Sequence, residues 1–145
     1  MAEESFDPNR RSFADCLSRL QAATEKAGFR ADGRIITSRD ADACELLDSL
    51  QIDNVPDGFK KWQLPIYLSS ASHLFVTDAE PGAKASSHAH KEGEGIRFIV
   101  SGSIVHDGTE LIAGDWMFIP AGQEYDFEVG PLGARMCYCY CCCCA

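Results

Sequence analysis

No run of apolar residues in this 145-residue chain approaches the ~18 that a membrane-spanning helix needs, so no membrane helix is expected. Basic residues are also few: 13 Lys and Arg stand against 22 Asp and Glu, for a net charge of −9. A field of that sign repels phosphate and argues against nucleic acid or an anionic membrane as a partner. The opening MAEESFDPNRR has no apolar core of the kind a secretory leader carries, so a soluble cytoplasmic protein is expected. No internal repeat is evident. A disulfide framework is missing too, although there are 8 cysteines. Cys16 and Cys44 fall in helical patterns and read as small buried residues, while the rest crowd into Cys137–Cys144, where neighbours cannot staple distant segments.

What is present suits one compact domain, since 46% of the residues are hydrophobic. The first segment is expected to be helical. Ser12 can cap Phe13–Ala27 with Asp15 in the box position, Phe13, Cys16, Leu17, Leu20 and Ala27 form the apolar stripe, and Gly28 ends it. A second helix is expected over Arg39–Leu50, with Ala43, Leu46, Leu47 and Leu50 inward and a short strand before it within Arg30–Thr37. From Lys60 onward the pattern changes to short strands between glycine turns. An edge strand over Lys60–Leu68 is followed by Ser72–Thr77, Ile96–Val100, Ser103–His106 with Glu110–Ile112 across an Asp107-Gly108 turn, Trp116–Ile119, a strand from Tyr125 that Gly130–Gly133 should break, and a last one from Ala134. That succession predicts a mainly β fold: a single jelly-roll barrel over 59–136, preceded by a helical segment over 1–58 that packs on it and followed by a cysteine-rich tail over 137–145.

The chemistry concentrates in Gly82–Gly102, GAKASSHAHKEGEGIRFIVSG. His88 and His90 are two apart, so on an extended strand both rings leave one face and can meet one ion. Glu94 follows at an even spacing and would complete a set of two histidines and one carboxylate, the facial arrangement that leaves open positions on a non-haem metal. His73 and His106 are weaker candidates on neighbouring strands.

This stretch resembles the first signature of the cupin superfamily, and Gly114-Asp-Trp-Met-Phe-Ile-Pro120-Ala-Gly122-Gln-Glu-Tyr125 resembles the second. Within that superfamily the wording HAHKEGEGIRFIVSGS…GDWMFIPAG looks most like acireductone dioxygenase. The resemblance implies a cupin barrel with His88, His90 and Glu94 as metal ligands. It departs from the family at Tyr125, which stands where a third histidine is usual and would be a ligand or a proton donor. It also departs in register. Counting back from Gly102 lands on Gly95, whereas counting forward from His90 lands on Glu94, so an insertion could displace Glu94 and leave Glu92 or a distant group as the ligand. Arg97 follows the metal loop, as an arginine does in acireductone dioxygenases, and would either anchor an anionic substrate or lie on the outer strand face.

A divalent transition metal is therefore expected, with Fe(II) favoured and Ni, Mn, Zn or Cu open, together with a small oxygenated substrate. The leading functional reading is a mononuclear metal-dependent dioxygenase-type enzyme. A non-catalytic metal- or metabolite-binding protein and a lyase or isomerase are the alternatives, and a homodimer is an open expectation. Cys137, Cys139 and Cys141 share one strand face, with Tyr138 and Tyr140 on the other. Facing inward, one of those thiols would supply a missing metal ligand; lying outside, Cys141–Cys144 would hold soft ions such as Cu(I) or act as an oxidisable tail.

Overall fold

In the computed structural model, which describes residues 7, 9–57, 59–69 and 72–140, Ser12 caps the first helix as its side chain dictates. Its hydroxyl accepts from the Asp15 amide at 3.1 Å, and the Asp15 carboxylate reaches back to the Ser12 amide at 2.9 Å. The elements in chain order are α1 (Phe13–Ala27), β1 (Ile36–Thr37), α2 (Ala41–Leu47) running into a 3-10 turn (Asp48–Leu50), β2 (Gln51–Ile52), β3 (Lys61–Trp62), β4 (His73–Ala79), β5 (Lys84–His88), β6 (Gly95–His106), β7 (Thr109–Ile112), β8 (Trp116–Ile119) and β9 (Tyr125–Tyr140). The fold is mainly β with an N-terminal helical segment, as expected.

The chain divides into two compact units, Met1–Arg30 with Ala41–Tyr67 and Ala31–Asp40 with Leu68–Ala145. Strand pairing moves the division away from residue 58. The pair β2–β3 joins Lys61 and Trp62 to the helical unit, and β1 leaves that unit to pair with β8. In the helical unit Leu20, Leu46 and Leu50 form the core, with Ala23 and Phe29 against it. Phe13, Ala27 and Cys44 are exposed, so the apolar stripe of α1 is narrower than expected and Cys44 is no core residue. Arg19 donates to the carbonyls of Ser49, Leu50 and Gln51, which the end of the 3-10 turn leaves without helical partners.

The β unit is organised by two long antiparallel strands, β6 and β9. The first half of β6 and the second half of β9 lie in a layer ordered β1-β8-β6-β9-β4, while the remaining halves pair with β7 and β5. The sheet thus turns back on itself where both strands bend, in jelly-roll fashion. The bend requires glycine twice. Gly102 and Gly133 have φ of +72° and +75°, and a Cβ on Gly102 would lie 1.9 Å from the Gly133 carbonyl oxygen. The expected break over Gly130–Gly133 is therefore a bend inside one continuous strand. Between the two layers lies a single core, with Ile99, Met117, Met136 and Tyr138 from one and Ile104, Leu111, Phe127 and Val129 from the other.

Candidate functional site

The two motif segments meet at one end of this core. His88, the last residue of β5, lies directly opposite Tyr125 in the ladder, and the amide of Gly122 donates to the His90 carbonyl at 2.7 Å. These backbone links hold the His88 and His90 rings edge-to-face with centroids 5.1 Å apart. The His88 ring also lies 4.5 Å from that of Tyr125, and His90 lies 4.4 Å from the ring of Tyr140.

A hydrogen bond defines the proton position on His88. His88 Nδ1 lies 2.6 Å from the carbonyl oxygen of Ser86, which can only accept, so Nδ1 carries a proton and the neutral ring has its lone pair on Nε2. Arg97 Nη2 donates to the Tyr125 hydroxyl at 3.5 Å, and that hydroxyl also lies 3.3 Å from His90 Nε2, with the direction of this second bond set by the His90 tautomer. Burial first, then His88 and Arg97, hold His90 below the ordinary imidazole range, so it is neutral at pH 7.

Arg97 is not on the outer strand face. It is 6% exposed, directly opposite Tyr138 in the ladder, with its guanidinium 4.2 Å from the Tyr138 ring and 5.1 Å from that of Phe127. Arg97 Nε and the Tyr138 hydroxyl are both buried without a hydrogen-bond partner. Each such atom costs roughly 1–3 kcal/mol. Burial pushes the Tyr138 phenol far above its ordinary value. The nearby Tyr125 adds to the push without meeting hydrogen-bond geometry, and Arg97 only partly opposes it.

Glu94 does not join the histidines. Its carboxylate accepts from the amide and the hydroxyl of Ser69. Partial burial pushes its carboxyl up, and the Ser69 contacts more than offset that, leaving it below the ordinary range. Strand β6 begins at Gly95, which shares the inward face with Arg97 and Ile99, so Glu94 falls on the other parity. Space confirms the assignment, because a Cβ on Gly95 would lie 2.6 Å from the Tyr138 hydroxyl and 2.8 Å from its ring. Tyr138 fills the volume that an inward carboxylate would occupy. Glu92 is exposed and does not replace it.

The cysteines resolve the same way. Tyr138 and Tyr140 are buried in the core, so Cys137 and Cys139 take the opposite face, half-buried and away from the histidines. Cys141 lies outside the described residues. His73 is exposed with its ring against Phe75, and His106 Nδ1 donates to the Asp126 carbonyl at 2.8 Å, so neither completes the set. Among the described residues no three of His, Cys, Asp or Glu gather as a metal would require. The local donors are two imidazoles and a phenol beside a buried guanidinium. That set does not fit a centre of two histidines and one carboxylate, because the carboxylate is turned away and the nearest charge is positive.

A cavity of about 260 Å³ opens beside this cluster, with His88, Arg97, Tyr138, Thr77 and Lys84 as its polar side chains and Ala79, Ala85, Phe127, Val129 and Met136 among its apolar walls. A wider cleft of about 650 Å³ runs past Asp40, His106, Glu124, Tyr125 and Asp126. Arg97 and Tyr138, which carry the two unpartnered atoms, both line the smaller cavity. The two went unnoticed as a pair in the sequence, although the alternation Met136, Tyr138, Tyr140 was a usable signal.

The fold and site define a small antiparallel β domain with a ligand-sized pocket, and the chain is similar to solved structures of that class. A cupin-like protein from Ralstonia eutropha JMP134 matches with a TM-score of 0.45 at 16% identity over 51% of this chain and 49% of that one. An RmlC-like cupin from Shewanella frigidimarina NCIMB 400 matches with a TM-score of 0.43 at 23% identity, over 48% and 65%. A third, from Methylibium petroleiphilum PM1, whose name proposes an acetylacetone dioxygenase, matches with a TM-score of 0.42 at 19% identity, over 51% and 58%. Each match spans less than two thirds of the other chain. No family model matches the sequence, and no curated protein does so significantly.

Proposed function

We propose that the domain binds a small oxygenated molecule in the 260 Å³ cavity and moves a proton on it, as an isomerase or lyase of the cupin type does. The observation that carries this reading is His88. Its Nδ1 is committed to the Ser86 carbonyl, while Nε2 makes no hydrogen bond among the described residues and the ring borders the same cavity as Arg97. A nitrogen in that state is a general base. It takes a proton from the carbon next to a carbonyl, the electron pair moves to the carbonyl oxygen, and the resulting enolate faces the Arg97 guanidinium. Return of a proton to either face of that same carbon restores the neutral carbonyl, exchanging or inverting the centre, and no oxidant is needed. Tyr125 acts through His88 and His90 as a positioning residue, its tilted ring packed against one and its hydroxyl bonded to the other.

Proton exchange tests the reading directly. Incubated in deuterium oxide with pyruvate or 2-oxobutanoate, the protein is expected to speed loss of the C3 proton signal, and the His88→Ala variant is not. Absence of exchange with either acid while it is bound would sink the proposal. The paired imidazoles, 5.1 Å apart, favour a second reading as a dioxygenase-type enzyme with iron or another divalent metal. That reading needs a third donor, which Glu94 supplies only if it leaves Ser69 and Tyr138 gives way. It predicts that the purified protein keeps one equivalent of metal through dialysis and that Glu94→Gln loses it.

A further inference from the structure

Arg97 brings a positive charge into the core, and among the described residues no carboxylate meets it. Its partners are a thioether, at 3.7 Å from Nη1 to Met136 Sδ, the Tyr125 hydroxyl, and two aromatic faces. A buried cation left in this state calls for a counter-charge. His90 cannot supply one, being neutral, and Lys84 at the cavity is already paired with Glu128 at 3.5 Å. The one uncompensated charge on the wall is therefore that of Arg97. Beside it the Tyr138 hydroxyl, 1% exposed and unpartnered, holds a proton to donate.

We infer that Arg97 and Tyr138 form an oxyanion site, and that the cavity takes a small organic monoanion with a short apolar tail, its carboxylate or enolate oxygen held by these two side chains. This rests on the reading that the cavity is the ligand site, and it adds the charge class of the ligand. The volume, about 260 Å³, lies below the roughly 300–1,000 Å³ of pockets for drug-sized ligands, so the guest is small. Ala79, Phe127, Val129 and Met136 favour a tail without polar groups. A dianion would bring a second charge that nothing on the wall answers. Gly95 is part of the device, because only a residue without a side chain leaves room for the Tyr138 hydroxyl there.

Titration calorimetry of the full chain with propanoate, its neutral isostere propanamide, and malonate tests this. Propanoate is expected to bind at least about tenfold more tightly than propanamide, since charge-assisted hydrogen bonds exceed neutral ones, and more tightly than malonate. Arg97→Met should bring propanoate down to the level of the amide, and Tyr138→Phe should weaken propanoate several-fold while leaving the amide unchanged. Equal affinity for acid and amide overturns the inference in the wild-type protein alone, whatever the variants do. So does propanoate binding that survives Arg97→Met. Propanoate binding without proton exchange on a bound oxo acid would refute the base role of His88 and leave the oxyanion site standing; exchange without selectivity for the anion would do the reverse.

Discussion

Replacing Tyr138 by Phe should make the protein more stable while making it bind less. The Tyr138 hydroxyl is buried without a hydrogen-bond partner, a situation that costs about 1–3 kcal/mol relative to leaving it in water. Phe removes that cost and keeps the ring against which the Arg97 guanidinium rests at 4.2 Å. The void left by one oxygen offsets part of the gain, so a net stabilisation of about 1 kcal/mol is expected, or about 3–4 °C in Tm for a chain of this length. Urea unfolding at pH 7, followed by circular dichroism, measures it. The pH dependence gives a second reading of the same atom. Burial raises the folded-state phenol far above its ordinary 10, so above about pH 10 the unfolded chain releases this proton and the native state does not. Stability is then lost as pH rises, by up to about 1.4 kcal/mol per pH unit for one proton. That component should be missing in Tyr138→Phe, so the gap between the two proteins should widen in alkali. A variant less stable than the parent by 1 kcal/mol or more at pH 7 would show that the hydroxyl has a partner in solution, and the oxyanion argument would lose its donor.

Gly95→Ala is expected to cost about 1–3 kcal/mol, because its Cβ would meet the buried Tyr138 ring at 2.8 Å; an unchanged urea midpoint would show that the ring has room to move. Asp115→Ala should cost about 2–3 kcal/mol, since that carboxylate accepts from the Ile112 amide, the Ser38 hydroxyl and Arg39 Nε, each at 2.9 Å. Thermal unfolding measures the loss, and a variant within experimental error of the parent would refute the bracing role. His90 adds an acid limb to the stability profile. Its folded-state pKa is depressed below 6.5 by burial, His88 and Arg97, so its contribution is present above about pH 6.5 and is lost as pH falls through the depressed value, where the unfolded chain takes a proton first. His90→Gln should flatten the profile below about pH 6.5, and an unaltered slope would mean that the ring is already solvated.

Local rules were enough for much of this molecule. The Ser12 cap, the full length of α1, the Asp107-Gly108 hairpin and the strand Trp116–Ile119 all follow from short-range preferences and from spacing. Alternation also sorted Tyr138 from Cys139 and Arg97 from Phe98. It could not say which set faces the core, because a period of two divides a strand into faces without naming the inner one. Only the folding of β6 and β9 into two layers made that choice, placing Arg97, Tyr138 and Tyr140 inside and Cys137 and Cys139 on the opposite face. The same holds for Glu94. A shift of one residue reverses the parity of the carboxylate, and spacing alone does not say which parity the loop before β6 delivers. The structure decides by putting Gly95 on the inner face, where Tyr138 already fills the space and a side chain would collide.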